Sequence, residues 1–141
     1  MDPTELIAVL LSWAASLSGY PYPDTRPAIE YREHDFFEQH ACAEVKNCRV
    51  AAWYDNDGTI FLDTRLANLE DPIIRSVVVH ELVHYLQDLS GEYKGGDCRE
   101  QVRREQHAYA VQRTYLNRIA GQFAATYPVY GPCPGNVPGP G

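Results

Sequence analysis

Residues 80–84 read His-Glu-Leu-Val-His. On a helix, positions i and i+4 lie one turn apart on the same face, so His80 and His84 can aim ring nitrogens at one point. Zinc accepts imidazole nitrogens at about 2.0–2.1 Å, a geometry this spacing permits. Glu81 starts one residue later and falls beside that point. There it can take the proton of a water activated by the metal. The flanking residues Val77, Val78, Val79, Leu82, Val83 and Leu86 are apolar. Two histidines and a glutamate are costly to bury in such a helix without a partner, and a metal ion is the simplest one. The alternative is a polar stripe on the outside of an amphipathic helix. A third ligand must come from elsewhere. Glu105 is favoured, because it shares a helical face with Ala108, Tyr109 and Gln112, and the small Ala108 allows a close helix approach. Its rivals are Glu100 and His107, which fall on other faces of the same helix. A surface ion pair with Arg103 or Arg104 is the ordinary alternative role for Glu105.

These residues need two helices to carry them. Asp71-Pro72 opens the first, which runs to a natural stop at Gly91. The second is expected from about Asp97 to Ala120. Upstream, Pro3-Thr4 opens an N-terminal helix over about 4–18 that ends at Gly19. Its Leu6, Val9, Leu10, Trp13 and Leu17 recur at helical spacing. Residues 28–32 (AIEYR) alternate like a strand, and 35–42 form a short helix or turn. Arg49–Tyr54 and Thr59–Leu62 flank Asp55-Asn56-Asp57-Gly58 and read as a hairpin. The segment 91–96 is a loop, and 127–141 is a Pro/Gly-rich tail. The expected fold is α+β, with a small antiparallel sheet packed on the two helices. It forms one domain over 1–141, with its core at about 27–120.

The chain has 141 residues, 45% of them hydrophobic, and a formal net charge of −7. Such an acidic chain is a poor ligand for nucleic acid or anionic lipid. The apolar run at Leu6–Leu17 is too short to span a membrane. Asp2 and Glu5 stand where a signal peptide carries positive charge, so this run reads as a helix of the mature fold. Four cysteines allow three pairings. Cys42 and Cys48 could close a short loop, leaving Cys98 and Cys133 to tie the tail to a helix start. Four reduced thiols are the alternative. Disulfides would fit a periplasmic or secreted domain, with any export signal already removed ahead of Met1.

The string HELVHYLQ, followed downstream by an ExxAY helix, resembles the gluzincin class of metallopeptidases and its small minigluzincin members. It is also similar to a family of short bacterial proteins of unknown function. The resemblance covers about residues 27–120, and the downstream GxxH histidine of metzincins is missing. It implies a compact zincin-like domain that hydrolyses peptide or protein substrates, with Zn2+ on His80, His84 and Glu105 and with Glu81 as general base. It also implies that a sheet edge, here Thr59-Ile60-Phe61-Leu62, binds an extended substrate strand. Tyr109, one turn beyond Glu105, is the candidate for stabilising the oxyanion, where relatives often carry an acidic residue. Tyr93 and His107 are weaker candidates. Two other readings remain. One is an inactive or latent zinc-binding module working through a partner, with the tail from Tyr127 lying across the cleft as one source of latency. The other, a di-iron bundle, needs a second ExxH, which the sequence lacks.

Overall fold

The computed structural model describes residues 2–42, 48–93, 96–123 and Cys133. Among them are four α-helices and a three-stranded mixed sheet, an α+β arrangement. Helix α1 spans Pro3–Ser18, strand β1 Ala28–Arg32, helix α2 His34–His40, strand β2 Ala52–Tyr54 and strand β3 Thr59–Asp63. Helices α3, Pro72–Ser90, and α4, Cys98–Thr114, follow, and a wider π-type turn at Tyr115–Ile119 extends α4.

Each long helix starts where its sequence provides a cap. Asp2 and Glu5 form a reciprocal capping box on α1. Asp71 Oδ1 accepts from the Ile73 amide at 2.8 Å to start α3, and Asp97 Oδ1 accepts from the Glu100 amide at 2.9 Å to start α4. Gly91, at φ 73°, closes α3 in the left-handed conformation.

β2 and β3 form the expected antiparallel hairpin, with Tyr54 opposite Ile60. Its turn requires positive φ at Asn56 and Gly58, and Asp55 Oδ1 accepts from the Asp57 and Thr59 amides. The sheet is mixed, not antiparallel as the sequence predicts. β1 pairs in parallel with β3, Ala28 opposite Thr59, so the order is β1-β3-β2. Parallel pairing requires a long crossover, and residues 33–58, which contain α2 and β2, supply it.

Helix α3 runs through the core. Val78, Val79, Leu82, Val83 and Leu86 pack in one cluster with Leu10, Leu11 and Ala14 of α1, Ile60 and Leu62 of β3, and Ala108 and Val111 of α4. Each fully buried leucine contributes about 1.5–3 kcal/mol relative to exposure. The buried stripe of α1 is Leu6, Ile7, Leu10, Leu11, Ala14 and Ala15; Val9, expected on that stripe, is exposed. Contact with two layers, α3 and α4, widens the buried face beyond one seam. Cysteines pair as Cys42–Cys48 and Cys98–Cys133, which fits an oxidising compartment. No helix among the described residues is long and apolar enough to cross a membrane. Apart from Cys133, the tail expected at 127–141 lies outside the described residues, and so does any contact it makes with the cleft.

One buried charge locks the end of the sheet. Asp63 is fully buried; its Oδ1 accepts from the Arg65 amide at 3.0 Å, and its Oδ2 meets Arg65 Nη2 at 2.7 Å and His34 Nδ1 at 2.9 Å. Burial alone raises the pKa of this carboxyl, but the hydrogen bonds from Arg65 and His34 outweigh it and hold it at about 2. A depressed carboxyl pKa stabilises the fold at pH above the unfolded value near 4, and that stabilisation is lost as pH falls from there through about 2. Asp63→Ala is expected to cost about 1–3 kcal/mol in urea denaturation at pH 7. The difference from wild type should shrink as the pH is lowered towards 2; a constant difference would contradict this role.

Candidate metal centre

The site forms where α3 and α4 face each other. Ser76, His80, His84 and Gln87 recur at spacings of four, four and three along α3, and Glu105, Tyr109 and Gln112 at spacings of four and three along α4. Ala108, fully buried between them, presents only a methyl group, so the helices approach closely. His84 Nε2 lies 2.6 Å from Glu105 Oε1, His80 Nε2 lies 3.2 Å from Glu105 Oε2, and the two Nε2 atoms are 3.1 Å apart. The histidine side chains keep 8% and 6% of their exposure and Glu105 keeps 38%, so the centre opens to solvent on the Glu105 side.

The groups behind the histidines decide what this cluster can do. Gln87 Nε2 donates to the Arg104 carbonyl at 3.0 Å, and Gln87 Oε1 accepts from Arg104 Nε at 3.1 Å. An arginine only donates and a carbonyl only accepts, so both contacts fix the amide orientation. Gln87 Oε1 therefore faces His84 Nδ1, 2.8 Å away, and that nitrogen must carry the proton. The same logic holds for His80. Ser76 Oγ donates to the Ile73 carbonyl at 2.6 Å and so accepts from Gln112 Nε2 at 3.3 Å. This leaves Gln112 Oε1 to accept from His80 Nδ1 at 3.0 Å. Both imidazoles thus turn bare Nε2 lone pairs towards a carboxylate.

Three acceptors with no donor between them repel one another unless a cation sits there. Two donors on one tetrahedral zinc are roughly 3.3 Å apart, given bonds of about 2.0–2.1 Å. The observed 3.1 Å between the Nε2 atoms matches that spacing. His80, His84 and Glu105 can therefore hold a metal ion, all their ligand atoms lying within 4.8 Å of one another. Without a metal, a proton takes the place. Burial lowers the His80 pKa, but the hydrogen bond and charge of Glu105, with Glu81 beside it, outweigh burial and raise it. Burial likewise opposes ionisation of Glu105, yet its hydrogen bonds to both imidazoles hold its pKa far below the usual carboxylate range.

The remaining candidates fall into place around this centre. Glu81 is buried at the cleft wall with Oε2 4.0 Å from His80 Nε2, beside the ligand point. The Tyr109 ring packs edge-on against His80 at 4.4 Å between centroids, and burial, with the Glu105 and Glu81 charges, raises its pKa, so it stays a phenol at neutral pH. His107 lies outside the centre: its Nε2 meets the Ser18 carbonyl at 3.2 Å and its ring packs on Tyr20. Glu100 and Tyr93 are not among the residues lining the cleft.

The expected substrate edge is a correction. Thr59, Ile60, Phe61 and Leu62 lie in β3, which is hydrogen-bonded on both flanks, so no further strand can pair with it. Ile60 and Leu62 are fully buried, and none of the four lines the cleft. The edge strands are β1 and β2, and β2 is the one that borders the cleft. The segment Arg49–Tyr54 forms one wall of a cleft of about 750 Å³, with His80, Glu81, His84, Glu105 and Tyr109 opposite.

Sequence reasoning placed Gln112 on the right face but missed its role, and missed Gln87, Ser76 and Arg104. The available signal was spacing: Gln87 stands three residues after His84, and Gln112 seven after Glu105.

Fold and site together define an α+β protein with a buried His-His-Glu cluster suited to a metal ion. Residues 1–125 match the family described as a domain of unknown function (DUF6647), and the chain belongs to it. No curated protein and no solved structure matches the chain.

The glutamines yield a direct test. Gln87→Leu and Gln112→Leu remove the acceptors that fix the imidazole tautomers. Each is expected to weaken metal affinity about 10–100-fold, read by competition with a chelating indicator. Unchanged affinity in both variants would contradict the tautomer argument.

Proposed function

We propose that this protein is a zinc-dependent peptidase that hydrolyses peptide bonds in polypeptide substrates. The observation that carries the reading is the donor set. Two tautomer-locked imidazoles and one carboxylate converge on a point that opens into a cleft, with a second carboxylate beside it. The resemblance of HELVH and the later ExxAY to the gluzincin class supports the choice of zinc and of reaction.

Bound by His80, His84 and Glu105, zinc would supply a Lewis acid that acidifies a water and polarises the scissile carbonyl. The chain's own groups do the rest. Glu81 accepts the proton of the attacking water as oxygen bonds to the carbonyl carbon. It then delivers that proton to the nitrogen as the C–N bond breaks. The Tyr109 hydroxyl, still protonated at neutral pH, donates to the carbonyl oxygen as that atom gains negative charge. The free edge of β2 offers backbone groups to an extended substrate chain. The two disulfides point to work in the periplasm or outside the cell.

Glu81→Gln keeps the shape but not the base. It is expected to bind metal like wild type and to lose about 10²–10⁴-fold in kcat on any peptide that wild type cleaves. Tyr109→Phe keeps the ring against His80 and should lose about 10²-fold in kcat with little change in KM. Wild-type turnover in Glu81→Gln would remove Glu81 from the mechanism.

A further inference from the structure

The cleft continues past the metal centre. Arg49, Ala51 and Leu66 line both the cleft and a second cavity of about 490 Å³, whose other walls are His34, Arg65 and Cys48. The overall charge of the chain is −7, yet this cavity presents two arginines and a histidine, and no acidic side chain is among the described residues that line it. Asp63 lies underneath and offsets the charge of Arg65 through the 2.7 Å contact with its Nη2, so Arg49 carries the surplus positive charge of the cavity. The Asp63 side chain is 1% exposed, and both of its oxygens are committed to Arg65 and His34. It therefore anchors the Arg65 side chain, which remains 62% exposed. Arg49 is exposed and has no carboxylate partner among the described residues. Glu33 stands nearby, held by the Thr64 hydroxyl at 3.4 Å, and does not line the cavity.

We infer that this cavity is a subsite that binds a carboxylate of the polypeptide lying in the cleft, so that substrates with an acidic group at a fixed distance from the cut bond are preferred. The inference rests on the peptidase reading and names the substrate class for the same site. An arginine fork suits a planar carboxylate, because its N–H groups match both oxygens. The two arginines stand on separate segments: Arg49 leads into β2, the strand that walls the cleft, and Arg65 follows β3. A chain lying along β2 would thus carry a side chain or its terminus to both. The groups are solvent-exposed, so the gain should be modest and sensitive to salt.

The test uses metal-loaded protein and internally quenched peptides with both ends blocked, in which one position at a time carries Glu, Ala or Lys. At one position on one side of the cut, Glu is expected to raise kcat/KM about fivefold over Ala at low salt, and high salt should erase the gain. Arg49→Ala should bring the Glu/Ala ratio towards one, and Arg49→Glu should reverse it in favour of Lys. A parallel set with a free C-terminus tells a chain end from a side chain, since only an end-binding subsite gains from the free acid alone. Cleavage with no acidic preference at any position overturns the subsite and leaves the peptidase reading intact. If wild type cleaves nothing, the peptidase reading fails, and fluorescence anisotropy still reads the subsite. Metal-loaded Glu81→Gln should bind a Glu-containing peptide more tightly than its Ala counterpart, and adding Arg49→Glu should abolish the difference. Equal binding of the two peptides overturns it.

Discussion

Two neutral imidazoles whose protons are held on the opposite side of each ring turn Nε2 lone pairs towards each other and a carboxylate across 2.6–3.2 Å. That convergence is electrostatically unfavourable on its own, and it is the constraint around which the helices are arranged. A positive centre relieves it. The glutamines that create the problem are themselves secured, Gln87 by both the backbone and side chain of Arg104, Gln112 by Ser76. A buried polar network of this kind is favourable only when every member is satisfied. Here each amide group is satisfied, and the one unmet need is at the point between the rings.

The rest of the fold keeps that point in register. The apolar side of α3 packs against α1 and β3, which leaves its polar row for α4. Ala108 sets the interhelical distance. Arg104 also reaches the hairpin turn, where its Nη2 donates to Asn56 Oδ1 at 2.6 Å. Tyr54 ties the hairpin to α3 by donating to Asp88 Oδ2 at 2.6 Å. The strand that walls the cleft and the helices that bear the ligands are thereby clamped together at one end. The unusual φ of 62° at Asn56 allows that turn to present its side chain to Arg104.

Much of this was legible in the sequence because it depends on local spacing. The four-residue interval of His80 and His84, the capping residues Asp71 and Asp97, and the Asp-Asn-Asp-Gly turn each act within one or two turns of chain. Glu105 could be picked out because Ala108 and Gln112 mark a face that packs closely. What escaped was non-local. Nothing in Ala28–Arg32 says that it pairs with β3 on the side away from β2, and that pairing closes the edge at Thr59–Leu62 and leaves β1 and β2 as the sheet's edges. The glutamines escaped because Gln87 at the polar end of α3 and Gln112 in the charged α4 both read as surface; only the partners across the helix interface reveal their orientation. Val9 was misplaced for a related reason, since two neighbours, not one, decide which side of α1 is covered.

The peptidase reading and a latent zinc-binding module share the same metal centre and differ in whether Glu81 acts. Both require the ion first. The most direct measurement is mass-spectrometric metal content of chelator-stripped protein after incubation with one equivalent of Zn2+ and removal of free ion. One zinc per chain is expected for wild type and none retained by His80→Ala. Folded wild-type protein that retains no zinc would contradict both readings.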